Sequence, residues 1–274
     1  MVPLFKIIRP TTSSMAALGS LVGSISIIGD SVYKSIVPVL MAFLVVFLHN
    51  AAGYALNDYL DIESDKINHP ERSLPSGKIK KETVLIFVWI AFFSSVAISY
   101  FINIECFIIA IISALGLLLY ELGVKNITFS GNILIGLLTG LTFVFGGFAA
   151  SKTGLFPVFV LGMLSFLAIT AREITKDLAD YKGDKYKKTL PKVLGIKRAA
   201  LVSTALYLTA VSLSPLPFIY GIFGYGYLSI VLVCDLIFAY TVFLQFKNPK
   251  KAVLAAKAAM LIALLAFAVG GILS

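Results

Sequence analysis

Nine stretches of the sequence are apolar almost from end to end: 13–29, 36–56, 83–102, 105–120, 129–150, 155–172, 199–220, 226–246 and 252–273. Crossing the hydrocarbon core of a bilayer takes about 20 helical residues. The runs do not alternate between apolar and polar, and they are too long for barrel strands, so the backbone must satisfy its hydrogen bonds within helices. Hydrophobic residues make up 59% of the chain and charged ones only 14%, against about 25% charged in an ordinary soluble domain. The expected fold is all-α: a polytopic membrane protein of nine transmembrane helices in one bundle, forming a single domain over residues 1–274. The first run is short and is broken by glycines and serines.

Charge sorts the connections. With a cytoplasmic N-terminus, 21 of the 23 lysines and arginines fall in inner segments, and only Lys34 and Lys152 fall outside. This positive-inside bias predicts a multi-pass cell-membrane protein whose N-terminus is cytoplasmic. The formal net charge of +9 is then a topology signal, not a nucleic-acid footprint, although it also favours anionic headgroups and phosphorylated substrates. Two inner loops, about 57–82 and 172–198, are long and crowded with charge, so the working surface is expected inside, with a cavity opening near the cytoplasmic side. The loops lie four spans apart, which suggests a repeated four-helix unit. Cys106 and Cys234 sit inside apolar runs, and His49 and His69 show no zinc-ligand spacing. The N-terminal segment lacks a signal-peptide cleavage pattern, so its apolar run is expected to stay with the chain.

The first loop opens with Asn57, Asp58, Asp61 and Asp65. At 100° per residue these four side chains share a helical arc of about 100°, while Glu63 points the other way. The second loop repeats the spacing with Asp177, Asp180 and Asp184, preceded by Glu173. Like charges one turn apart repel, and the penalty rises near the membrane. Two matched acidic faces on one side therefore call for a cation. Hard oxygen ligands suit Mg²⁺, which keeps phosphate oxygens in its shell, so the pair reads as a site for a metal-bound diphosphate. Bases flank both motifs. Arg72 lies in the proline- and glycine-bearing turn 68–77, where it could clamp a phosphate, and Lys182, Lys185, Lys187 and Lys188 follow the second motif.

These motifs resemble the UbiA superfamily of intramembrane prenyltransferases. Residues 57–65 read NDxxDxxxD, residues 177–184 read DxxDxxxD, and Arg72-Ser73-Leu74-Pro75-Ser76-Gly77 is similar to the turn that follows the family's first motif. Within the superfamily, residues 172–177, Asp180, Gly183-Asp184 and Thr189-Leu190-Pro191 look most like the digeranylgeranylglyceryl phosphate synthase branch. The resemblance covers the whole chain. It implies Mg²⁺-dependent transfer of a geranylgeranyl group from its diphosphate to the hydroxyl of geranylgeranylglyceryl phosphate. It implies Asn57, Asp58, Asp61, Asp65, Asp177, Asp180 and Asp184 as metal ligands, with Asp61, Asp65, Asp180, Asp184 and Arg72 in the catalytic set. Arg9, Arg72, Tyr120, Lys125, Lys182 and Lys185 are the implied substrate-binding residues. The implied partners are an isoprenyl diphosphate, a lipid-phosphate acceptor and membrane lipids, without nucleic acid; the sequence carries no signal for oligomeric state. Two departures stand out: Arg9-Pro10 is followed by Thr11-Thr12 where an asparagine is common in the family, and Tyr120 and Lys125 are one residue further apart than the family's YxxxK.

Rival readings are prenylation of an aromatic acceptor and a membrane transporter, the latter because intramembrane carboxylates often mark ion pathways. Asp235, an acid in the middle of a run, is open to two readings, a polar bundle interior or a second functional site. Gly136, Gly140, Gly146 and Gly147 are expected to let helices approach closely. Phe143, Phe145 and Phe148 are candidates for cavity lining or for packing.

Overall fold

The computed structural model describes residues 3–181 and 188–273. Among them there are helices and turns and no strands, and nine helices are long and apolar enough to cross a membrane. In chain order they are α1 (Pro10–Ile28), α2 (Ile36–Leu60), α3 (Lys81–Ile102), α4 (Ile104–Leu122), α5 (Ser130–Ala150), α6 (Phe156–Asp180), α7 (Ile196–Leu213), α8 (Tyr225–Gln245) and α9 (Pro249–Ile272). Each consecutive pair packs together and α9 returns to α1, so the helices close into a ring. Further contacts of α1 with α5 and of α6 with α9 draw the ring inward.

In lipid, apolarity does not distinguish the inside of a helix from its outside; residue size does. On α3 the buried positions are Val84, Val88, Ala91, Phe92, Ser95 and Ser99, with Phe92 the one large side chain among them, while Ile86, Ile90 and Phe93 face outward at helical spacing. The polar stripe that weakens the hydropathy of α1 has the same explanation. Ser13, Ala17, Ser20 and Ser24 are fully buried. Their hydroxyls bond backbone carbonyls, and Ser24 Oγ crosses to Gly146 O on α5 at 2.8 Å.

The glycines of α5 let two neighbours close in. A Cβ on Gly146 would run into the backbone of Ser20, and one on Gly140 would lie 2.7 Å from Gly162 O of α6. Gly136 and Gly147 also face α6, against Thr170 and Val158. At the end of the ring away from the acidic motifs, Tyr33, Tyr100, Phe101, Phe156, Tyr220 and Tyr225 are exposed, as aromatic residues are at membrane–water interfaces.

The helices α2 and α6 outrun their apolar stretches. Hydropathy ends them near 56 and 172, but the helical backbone runs to Leu60 and Asp180. Both acidic motifs therefore begin on helical turns at the same end of the ring.

Candidate active site

At Asp61 the helix slackens (φ −91°, ψ 11°) and resumes as a short helix, Ile62–Asn68. The amides of Asp61 and Asp65 still bond the carbonyls four residues back, at 2.9 and 2.8 Å, so the motif keeps near-helical spacing. Asn57, Asp61 and Asp65 line a cavity of about 1500 Å³ inside the ring. Asp58 is buried behind that wall and accepts a hydrogen bond from Arg9 Nη2 at 2.7 Å, with Arg72 Nη1 3.8 Å away.

Each carboxylate of this motif meets a cation. Arg72 Nη1 donates to both oxygens of Asp65, at 2.8 and 2.7 Å. Its turn is closed by hydrogen bonds from Ser76 N to Arg72 O and from Gly77 N to Leu74 O, and Gly77 takes the left-handed φ of 71° that a glycine tolerates. Lys125 lies in a 3₁₀ turn, Val124–Asn126, just after α4. Its Nζ reaches Asp61 at 3.0 Å and Glu121 at 2.8 Å. Burial works to lower the pKa of Lys125, but the hydrogen bonds and charges of Glu121 and Asp61 outweigh it and hold the pKa above the ordinary lysine value. The ammonium is therefore cationic throughout the physiological range. Asn57 Nδ2 donates to Asp61 Oδ2 and Glu121 Oε2, both at 3.0 Å, and ties the motif to α4.

Glu173 and Asp180 of α6 line the same cavity, with Arg172 and Lys176 beside them. Arg172 Nη1 lies 2.8 Å from Glu173 Oε1. Asp177 accepts from Asn132 Nδ2 at 2.9 Å and opens onto a side pocket of about 80 Å³ shared with Tyr120, Lys125 and Asp180. Tyr120 lines both spaces. Asp184, Lys182 and Lys185 lie outside the described residues. The cavity continues deep between the helices past Phe143, Phe145, Leu164 and Phe267 to Asp235, whose carboxylate accepts from Ser214 Oγ at 2.6 Å. Phe148 packs in the apolar core with Val45 and Phe145 instead.

Sequence reasoning passed over three residues of this site. Glu121 ends an apolar run four residues before Lys125, an i,i+4 acid–base pair that could have been noticed. Tyr54, one turn before Asp58, lies under the Arg9 guanidinium at 4.8 Å. Nothing in the sequence flagged Asn132.

The donors facing the cavity are carboxylate and amide oxygens, the set that Mg²⁺ prefers. Among the described residues no three histidine, cysteine or acidic side chains are placed to hold an ion by themselves. The residues therefore fit Mg²⁺ as an ion shared with a ligand's own oxygens. Charged at one end and apolar along its length, the cavity suits an amphiphile with an anionic head.

Comparison with known proteins concerns the chain as a whole. The "Digeranylgeranylglyceryl phosphate synthase" of Methanosphaera stadtmanae is 37% identical over 277 residues, covering 98% of this chain and 99% of its own. A solved structure concerned with digeranylgeranylglyceryl phosphate synthase in membranes superposes with a TM-score of 0.84 at 39% identity, covering 98% of both chains. A UbiA homolog from Archaeoglobus fulgidus bound to GPP and Mg²⁺ shares the fold, with a TM-score of 0.74 at 19% identity over 98% of this chain and 99% of its own. The UbiA prenyltransferase family profile matches residues 16–270, and the chain belongs to that family.

Proposed function

We propose that the chain transfers a geranylgeranyl group from geranylgeranyl diphosphate to the free hydroxyl of geranylgeranylglyceryl phosphate, as a Mg²⁺-dependent enzyme of ether-lipid synthesis. The observation that carries this reading is the shared cavity: side chains from α2 and α6 meet over one space whose cations and apolar walls match a prenyl diphosphate. Relatives named for this activity align over nearly the whole chain. The whole chain, 1–274, is taken as one catalytic domain in the cell membrane. The acidic end of the ring faces the cytoplasm with the N-terminus, in accord with the sorting of its basic residues.

In this reading Asn57, Asp61, Asp65, Asp177, Asp180 and Asp184 hold Mg²⁺, which when bound supplies charge to the departing diphosphate. Arg72, Arg9 and Lys125 add fixed positive charge at the same end, with Tyr120 beside them, and Lys182 and Lys185, which follow Asp180 in sequence, complete the proposed substrate-binding set. The allylic carbon–oxygen bond breaks, the diphosphate leaves with the bonding pair, and the acceptor oxygen forms the ether bond as its proton passes to a base, for which the diphosphate, a motif carboxylate and water are the candidates. The apolar helices hold the isoprenoid and exclude water that would otherwise trap the allylic carbon.

The test offers geranylgeranyl diphosphate with a glycerophosphate ether and an aromatic acid as competing acceptors, with and without Mg²⁺, and identifies the product by mass. The expected product is the digeranylgeranyl ether, formed only with Mg²⁺. Asp61→Ala and Asp180→Ala should each lower turnover by roughly 100-fold or more while eluting as folded protein. An aromatic product would overturn the acceptor, and near-normal rates in both variants would overturn the site.

A further inference from the structure

The cavity has a second cluster of cations, on elements other than those that carry the acidic motifs. Lys247 and Lys250 at the α8–α9 turn, and Lys257 within α9, line the cavity alongside Asp180 and Tyr181. The cations of the first motif are all committed: Arg9, Arg72 and Lys125 are each ion-paired within 3.0 Å. By contrast, none of Lys247, Lys250 and Lys257 has a carboxylate within ion-pair distance among the described residues. Lys247 Nζ rests on the Phe243 ring at 4.4 Å.

Membrane topology accounts for basic residues at this end of the ring but not for the gathering of three of them on the wall of one cavity, the innermost being Lys257. That residue lies eight positions into α9, about 12 Å along a membrane-spanning helix. Its side chain is exposed, open to the cavity that it lines. Seven residues separate Lys250 from Lys257, which puts both on one face of α9. The face continues through Met260, Leu264 and Phe267, all lining the same cavity. One helix therefore offers cations at the motif end and an apolar track leading away from them.

We infer that Lys247, Lys250 and Lys257 hold the phosphomonoester of the acceptor lipid, whose isoprenoid chain lies along Met260, Leu264 and Phe267. The inference rests on the acceptor reading above and assigns it a site. The acceptor's phosphate is held apart from the diphosphate, so the two anions do not compete for Arg72 and Lys125.

The experiment measures KM for geranylgeranyl diphosphate, for geranylgeranylglyceryl phosphate and for phosphate-free geranylgeranylglycerol in neutral detergent. It compares the wild-type chain with Lys257→Gln, Lys250→Gln and Lys257→Arg. Losing one charge-assisted contact should raise KM for the phosphorylated acceptor by roughly tenfold. KM for the diphosphate and for the neutral acceptor should stay within about twofold, and Lys257→Arg should keep the preference for phosphate. Lys250→Gln, in the first turn of α9, gives the same split should Lys257→Gln not fold. An unchanged acceptor KM, or equal rises for both acceptors, overturns the site. A defect seen only after anionic phospholipid is added assigns the lysines to bulk headgroups and also overturns it. A wild-type chain that makes no ether from either acceptor overturns the acceptor reading, and this inference falls with it.

Discussion

Arg9 stands in a left-handed backbone conformation (φ 45°, ψ 62°) immediately before Pro10. Such a conformation costs a residue other than glycine about 1–3 kcal/mol, and the following proline already disfavours the helical alternative. What holds Arg9 there is Asp58 at 2.7 Å and the Tyr54 face beneath the guanidinium. Asp58 is thus placed to aim a cation, although the helical arc alone groups it with the metal ligands. Asp58→Asn keeps the shape and removes the charge, so KM for geranylgeranyl diphosphate should rise about tenfold while the Mg²⁺ concentration for half-maximal rate stays within about twofold. Titrating each against the other at saturation checks this. A many-fold shift in the Mg²⁺ requirement with an unchanged KM would return Asp58 to the metal.

At the level of helices, α1 and α5 approach backbone to backbone, which depends on the absence of a side chain at Gly146. Gly146→Ala forces a methyl group against the Ser20 backbone, which cannot yield as a flexible side-chain tip would. Overpacking of this kind costs about 1–3 kcal/mol, so the Tm in detergent should fall by several degrees. Gly53→Ala is the control: its Cβ would meet Leu117 at an ordinary 3.6 Å, and its Tm should match the wild type. The existence of all nine spans was legible because hydropathy over 20 residues is a strong signal. The ends of α2 and α6 were not, because a helix leaving the hydrocarbon needs no further apolar residues to continue. The site shows the same limit. Tyr120 and Lys125 are one residue too far apart for a simple helical motif, yet Lys125 still reaches Asp61. The chain leaves the helix at Gly123 and the 3₁₀ turn takes up the extra residue. The pairing of Glu121 with Asn57, 64 positions away in sequence, depends on how α4 docks against α2, which no local pattern encodes.

In the molecule as a whole, the first acidic motif is balanced in charge. Three carboxylates of the first motif meet three cations, Asp58 with Arg9, Asp61 with Lys125 and Asp65 with Arg72. Leaving the buried Asp65 without a partner would be costly, so neither a metal ion alone nor a diphosphate alone fits cheaply. Mg²⁺ taken up by Asp61 and Asp65 would displace Lys125 and Arg72, and a diphosphate without Mg²⁺ would draw those cations off carboxylates that then stand bare. Bound together, the two ligands let Lys125 and Arg72 pass from carboxylate to phosphate oxygens while Asp61 and Asp65 pass to the metal, and no charge is stranded. This predicts strong reciprocal coupling. Isothermal titration of the detergent-solubilised chain should find weak Mg²⁺ binding, near millimolar, which tightens by roughly 10–100-fold with a non-hydrolysable prenyl diphosphate analogue. The analogue's own affinity must rise by the same factor when Mg²⁺ is present, because linkage is symmetric. A chelator should abolish turnover reversibly yet leave the Tm of the ligand-free chain unmoved, since its carboxylates are already paired. Tight Mg²⁺ binding without the analogue, or a Tm that falls on chelation, would mean that the chain holds its metal by itself and that the exchange of partners does not occur.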